Sequence, residues 1–235
     1  MPQTTGVSAA QGARQPVAQS GPALISPGFR RTAAALVVAG AAVMSLLAVL
    51  VAGHTRETWL DHAVDNRIMA PPGHAGLAGP MAQLGSPVSV TVLSVILVAA
   101  CLVTRRFRGA WLVAAAAPAV GLADIGLKHL VHRTYAGFLS FPSGHTMGAF
   151  SMATVGVILL LGPLHPALSP RWRRMLAALA VLVACAVALC LVIRRMHYFT
   201  DTIGGAALAI AMVLAAAFAV DAAANRWTRS RPPAA

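Results

Sequence analysis

Two histidines in this 235-residue chain stand in contexts that suit phosphoryl chemistry. The first is His145, in the stretch SFPSGHTMGAF from Ser140 to Phe150, where a polar loop turns into an apolar helix. Pro142 can precede a helix but not continue one, Ser143 is a good cap, and Gly144 leaves the backbone bare enough for a ligand to approach closely. A helix start carries unsatisfied N–H groups and the positive end of the helix dipole, so it suits an anion such as phosphate. His145, in the first turn, meets whatever those amides hold, and its imidazole exchanges a proton near neutral pH.

The second is His197, in RRMHYFTDTIGG, followed four residues later by Asp201. A carboxylate at that spacing holds one ring nitrogen and fixes the tautomer, leaving the other nitrogen free to attack. Lys128, Arg133, Arg194 and Arg195 offer the positive charge that a phosphoryl transition state requires. Plainer readings stand beside these. Ser143 also reads as a helix cap, because capping and phosphate contact use the same geometry. Arg194 and Arg195 also fit as interfacial anchors of a helix end. Asp124 is expected to pair with Lys128 at i,i+4 rather than to act in catalysis. His54, His62, His74 and His165 carry no motif and read as interfacial residues; His129 and His132 are further candidates for substrate contact.

The elements that position these groups follow from composition. The chain is 58% hydrophobic and only 10% charged, against about a quarter charged in soluble domains, so it belongs in a bilayer. Six apolar stretches, 33–53, 86–103, 111–127, 146–161, 175–193 and 204–220, approach the roughly 20 residues a spanning helix needs. The expected fold is therefore an all-α polytopic membrane protein with six transmembrane helices. The first span lacks a convincing cleavage site and reads as a retained anchor.

The net charge of +12 is distributed in a way that argues for topology and against nucleic acid as a partner. Arg14, Arg30, Arg31, Arg105, Arg106, Arg108, Arg171, Arg173, Arg174, Arg226, Arg229 and Arg231 fall in alternate segments, which the positive-inside rule makes cytoplasmic. Both termini are then cytoplasmic, and the loops carrying His145 and His197 open together on the extracytoplasmic side. Residues 1–29 and 226–235 read as disordered cytoplasmic tails flanking one six-helix domain over 30–225. The segment TWLDHAVDNRI predicts a short amphipathic helix with Trp59, Leu60, Ala63, Val64 and Ile68 on its apolar side. Cys101, Cys185 and Cys190 lie within spans at no metal-binding spacing.

Lys128, the block Pro142-Ser143-Gly144-His145 and the pair His197-x-x-x-Asp201 resemble, in this order, the three signature motifs of the type-2 phosphatidic acid phosphatase superfamily, over about residues 33–220. The resemblance implies a site at the outer face of six helices. It makes His197 the nucleophile that forms a phosphohistidine, Asp201 its orienter and His145 the acid for the leaving oxygen. Lys128, Ser143 and Gly144 would bind phosphate, with no metal or other cofactor. Two positions depart from the family pattern. Where its first motif has arginine-proline, seven residues after the lysine, this chain has Tyr135-Ala136, and Arg133 is the nearest arginine. Where its third motif has an arginine six residues before the histidine, this chain has Leu191, with Arg194 and Arg195 nearer. Arg133 and one of Arg194 or Arg195 are expected to replace the missing contacts.

The expectation is an integral plasma-membrane phosphatase that removes phosphate from a lipid-linked monoester or diphosphate, with polyprenyl carriers preferred on the resemblance and an Ala- and Arg-rich composition. Two other classes are kept. One is a catalytically inactive relative that binds lipid or assists assembly, suggested by the displaced arginines. The other is a haem-binding membrane protein with His145 and His197 as axial ligands. The sequence says nothing of oligomeric state.

Overall fold

A computed structural model describes residues 22–69, 76–162 and 168–230 of the chain. His74 and His165 lie outside the described residues, as do 1–21 and 231–235 of the expected tails. The described chain is helical throughout, apart from one small hairpin. In order it forms α1 (Arg30–Val51), α2 (Trp59–Ile68), α3 (Ala78–Gln83), α4 (Pro87–Val103) and α5 (Phe107–Val131). Strands β1 (Thr134–Tyr135) and β2 (Phe138–Leu139) follow, then α6 (Gly144–Leu161), α7 (Pro170–Ile193) and α8 (Phe199–Arg229).

Local chemistry sets the helix starts. Ser86 caps α4 by accepting from the Ser89 amide at 3.3 Å, with Pro87 following in the first turn where its missing N–H costs nothing. Thr58 and Asp61 form a reciprocal capping box on α2. Among the described residues five helices, α1 with its leading turn, α5, α6, α7 and α8, have the length and hydropathy to cross a membrane. The sixth expected span, α4, has 17 residues, a rise of about 25 Å against a hydrocarbon core of about 30 Å.

The spans extend further than their apolar centres. Helix α5 continues through Asp124, Lys128 and His129, and α8 begins at Phe199 rather than near 204. Hydropathy drops at polar helix ends while backbone hydrogen bonding continues, so a hydropathy window trims them. The tails differ from expectation for the same kind of reason. Arg226 and Arg229 lie in the last turns of α8. Before α1, Leu24 and Ile25 are buried, and their amides donate to the Asp221 carboxylate at 2.9 and 3.1 Å. Arg108 closes this cluster with a 2.9 Å bond to the same carboxylate. Part of the segment expected to be a free tail is thus held by a buried acid inside α8.

Helix α8 packs against α1, α5 and α6, burying Leu112, Val113, Val155, Val213 and Ala217 in one cluster. The basic segments gather at one end of the bundle, around the start of α5, the end of α6 and the end of α8. The opposite end collects α2, the hairpin and the α7–α8 connection. There the Gly53 amide donates to the Val131 carbonyl at 2.9 Å, and the Thr134 amide donates to that of His54 at 3.1 Å. Helix α2 forms over the residues expected, with a different side turned inward. Asp61 and Asp65 are buried, whereas Trp59 is 81% exposed.

Candidate active site

The two histidine motifs meet at this end of the bundle. The amide of Ser143 donates to the carbonyl of Asp201 at 3.1 Å, tying the start of α6 to the first turn of α8. The helices are close enough there that a Cβ on Gly205 would lie 2.8 Å from the Ser143 carbonyl oxygen. Ser143 itself is fully buried, and its hydroxyl accepts from the Thr146 amide at 3.4 Å and from the Thr146 hydroxyl at 3.0 Å. It therefore serves as the helix cap, with its hydroxyl turned to α6.

His145 is half-buried and lies within electrostatic reach of His197, Lys128, Asp124 and Arg194. Lys128 donates to Asp124 at 3.0 Å, the expected i,i+4 pair. The Asp124 carboxylate stands directly against the start of α6. A Cβ on Gly144 would come within 2.7 Å of Asp124 Oδ2, so only glycine fits there without displacing the acid.

His197 is 9% exposed. Its Nδ1 lies 3.5 Å from Asp201 Oδ2, an ion-pair distance that does not complete a hydrogen bond. Asp201 is instead committed elsewhere. Oδ2 accepts from the Tyr198 amide at 3.1 Å, and Oδ1 accepts from Arg133 Nη1 at 2.6 Å.

Arg133, expected to bind phosphate, has a different position. Its side chain is fully buried, and Nη2 donates to Asp61 at 2.6 Å while Nη1 also reaches the Thr200 hydroxyl at 2.7 Å. The guanidinium lies 4.3 Å from the centre of the Tyr198 ring. Tyr135, which occupies the family's arginine position, meets Tyr198 edge to face at 4.5 Å. The Tyr198 ring and two carboxylates surround the guanidinium, and the buried side chain has no exposed surface to offer a ligand. Of the other candidates, Arg194 is half-buried with its guanidinium carbon 3.9 Å from a Cβ position on Gly79 of α3. Arg195 is exposed and acts electrostatically on Tyr135. The structure thus brings together His145, His197, Asp201, Lys128, Gly144 and Arg194, joins Ser143 to Asp201 through the main chain, places Arg133 behind Asp201 on the side away from His197, and leaves Arg195 exposed. His129 and His132 are exposed.

Sequence reasoning missed Asp61. Its carboxylate accepts from the Thr200 amide at 2.8 Å and from the Thr58 amide at 2.9 Å, besides Arg133. Burial pushes its pKa up, but these donors outweigh the desolvation and hold it below the usual carboxylate value. Asp65, one turn on, is the contrary case. The Phe199 amide approaches it without completing a hydrogen bond, and desolvation together with the charge of Asp61 pushes its pKa up to about 7. The signal was available in two aspartates spaced i,i+4 on a helix otherwise read for its apolar residues. Burial likewise raises the pKa of the Tyr135 and Tyr198 hydroxyls.

A cavity of about 760 Å³ opens beside His145. Asp124, Lys128, Gly144 and His145 line its polar end, and it continues between α4 and α5 past Val98 and Leu102 along largely apolar walls. From Pro87 to Leu102 the helix rise is about 22 Å. Among the described residues no group of three or more His, Cys, Asp or Glu side chains converges as a metal site would.

Residues 89–225 match the family described as the PAP2 superfamily. No curated protein matches the chain. Among solved structures, it resembles a transmembrane PAP2-type phosphatidylglycerolphosphate phosphatase from Bacillus subtilis, with a TM-score of 0.62 and 22% identity, over 83% of this chain and 98% of that one.

Proposed function

The chain belongs to the PAP2 superfamily, and from that premise we propose that it is a lipid phosphatase. It removes the terminal phosphate from a lipid-linked monoester or diphosphate, a polyprenyl carrier being the preferred class, at the outer face of the plasma membrane. The observation that carries the lipid assignment is the cavity, whose one polar end holds Lys128, Gly144 and His145 while its length is apolar. A phosphate seated at the polar end leaves a hydrocarbon chain in the apolar part. In this reading all six apolar helices cross, α4 included, and the basic clusters at the far end support a cytoplasmic position for both termini.

The reaction runs in two displacements without a metal. Lys128, Arg194 and the first amides of α6 hold the phosphoryl oxygens. His197, with its proton on Nδ1 toward Asp201, attacks phosphorus through Nε2. The bond to the lipid oxygen breaks, and His145 gives that oxygen a proton. Water then attacks the phosphohistidine, His145 takes the water's proton, and phosphate leaves with His197 restored.

The test is phosphate release in detergent with chelator present, comparing phosphatidate, phosphatidylglycerolphosphate and polyprenyl diphosphate. Release from a lipid phosphate, abolished in His197→Ala, is the expected result. Absence of release from all three with the protein folded would leave the inactive lipid-binding reading in its place.

A further inference from the structure

The Arg133 that the family pattern suggested for phosphate is held away from any ligand, and its contacts define another role. One guanidinium joins two buried carboxylates, Asp61 on α2 and Asp201 on α8, at 2.6 Å each. Asp61 is in turn fixed by the Thr200 amide and by the α2 cap, so the bridge runs from one helix start to another. All three side chains are fully buried. Asp201 Oδ1 is occupied by Arg133, leaving Oδ2 as the oxygen that faces His197 Nδ1.

We infer that Asp61 and Arg133 are positioning residues for His197, acting through Asp201: they hold its carboxylate so that Oδ2 faces the ring nitrogen that does not attack. The inference rests on His197 being the nucleophile as far as turnover is concerned. The geometry itself makes a separate claim about the ring. A carboxylate locked through one oxygen cannot rotate away, so the proton of neutral His197 stays on Nδ1 and Nε2 remains unprotonated. Removing the Asp61 carboxylate breaks the bridge from α2, so that Arg133 and the Asp201 carboxylate it holds are no longer fixed from that side. Other charged or titratable groups around these residues are Tyr198 beside Arg133, Glu57 and Asp65 on the α2 side, His145 on α6, which acts electrostatically on His197, and Lys128, Asp124 and Arg194 around His145. Asp65 is coupled to Asp61, so Asp61→Asn changes its charge as well, and the tautomer of His197 is the readout that isolates the bridge.

The experiment is an NMR titration of the full chain in detergent micelles with histidine side chains labelled with 15N, His197 being assigned by its own substitution. Asp61→Asn should reduce the Nδ1-protonated population of neutral His197. Arg133→Lys, which keeps a cation but cannot bridge both carboxylates, should reduce that population too. Phosphate release should fall at least tenfold in kcat with KM within about twofold, as expected for a group that acts on the nucleophile and not on substrate binding. If either variant, folded by its thermal transition, keeps the parent's His197 tautomer, the inference is overturned. If the tautomer moves but the parent releases phosphate from no lipid, the functional reading fails and the positioning role stands.

Discussion

Ser143 and Asp201 are joined through their main chains, amide to carbonyl, at 3.1 Å. The motif proposed to present phosphate-binding amides and the motif proposed to present the nucleophile therefore share one joint, and their spacing depends on how closely α6 and α8 approach. Gly205→Ala places a methyl 2.8 Å from the Ser143 oxygen. It should destabilise the protein by about 1–3 kcal/mol as overpacking does, and lower kcat more than it raises KM. Thermal unfolding together with phosphate-release kinetics checks both parts.

The two arginines after α7 should separate cleanly. Arg194 lies half-buried near His145 and α3, whereas Arg195 is exposed and acts electrostatically on Tyr135. Arg194→Ala should lower turnover by about a hundredfold or more, the loss expected for a transition-state charge contact, with lysine restoring it only in part. Arg195→Ala should stay within a few-fold of the parent. Equal losses from both would show that surface charge near the site matters and that neither makes a specific contact.

Arg133→Ala should act on stability as well as on turnover. It leaves Asp61 and Asp201 buried without their shared cation, a change that costs about 3–5 kcal/mol when one partner of a buried pair is removed. Denaturant or thermal unfolding in detergent measures this loss. An unchanged transition would mean that the ion pairs are not closed in the protein in detergent.

What the sequence made legible, and what it hid, follows from how far each signal reaches along the chain. The helix cap at Ser143, the turn at Pro142, the pairing of Asp124 with Lys128 and the approach of His197 to Asp201 are local, one or two helical turns each, and all could be read from spacing. The fate of Arg133 could not. Its partners come from α2 and α8, and spacing relative to Lys128 alone suggested an open phosphate ligand. Tyr135, in the place of a motif arginine, looked like a loss until its ring was seen against Tyr198 beside that buried guanidinium. Asp221 was invisible in the same way, because a single acid in an apolar helix says nothing of the Leu24 and Ile25 amides it holds.

Asp65 should make stability depend on pH. Its folded pKa is raised to about 7 from the ordinary 3.8, chiefly by desolvation and then by Asp61. The folded state therefore binds a proton that the unfolded state has released across this interval, and stability falls as pH rises from about 4 to about 7. Below the unfolded pKa there is no loss from this group, and above the folded pKa the loss is complete. Asp65→Asn removes the titrating group, so its melting temperature should exceed the parent's at pH 8 and the advantage should shrink at pH 5. Parallel melting curves for the two proteins across this range would contradict the burial of an unpaired Asp65.

The central claim is that His197 carries the phosphoryl group between lipid and water. The direct measurement is rapid quenching of the detergent-solubilised protein mixed with a lipid phosphate labelled in its terminal phosphate, followed by peptide mapping under alkaline conditions. The account predicts label on the peptide containing His197, stable in alkali and lost in acid, formed no more slowly than phosphate is released and absent from His197→Ala. Label on another residue, or undiminished phosphate release by His197→Ala, would contradict it.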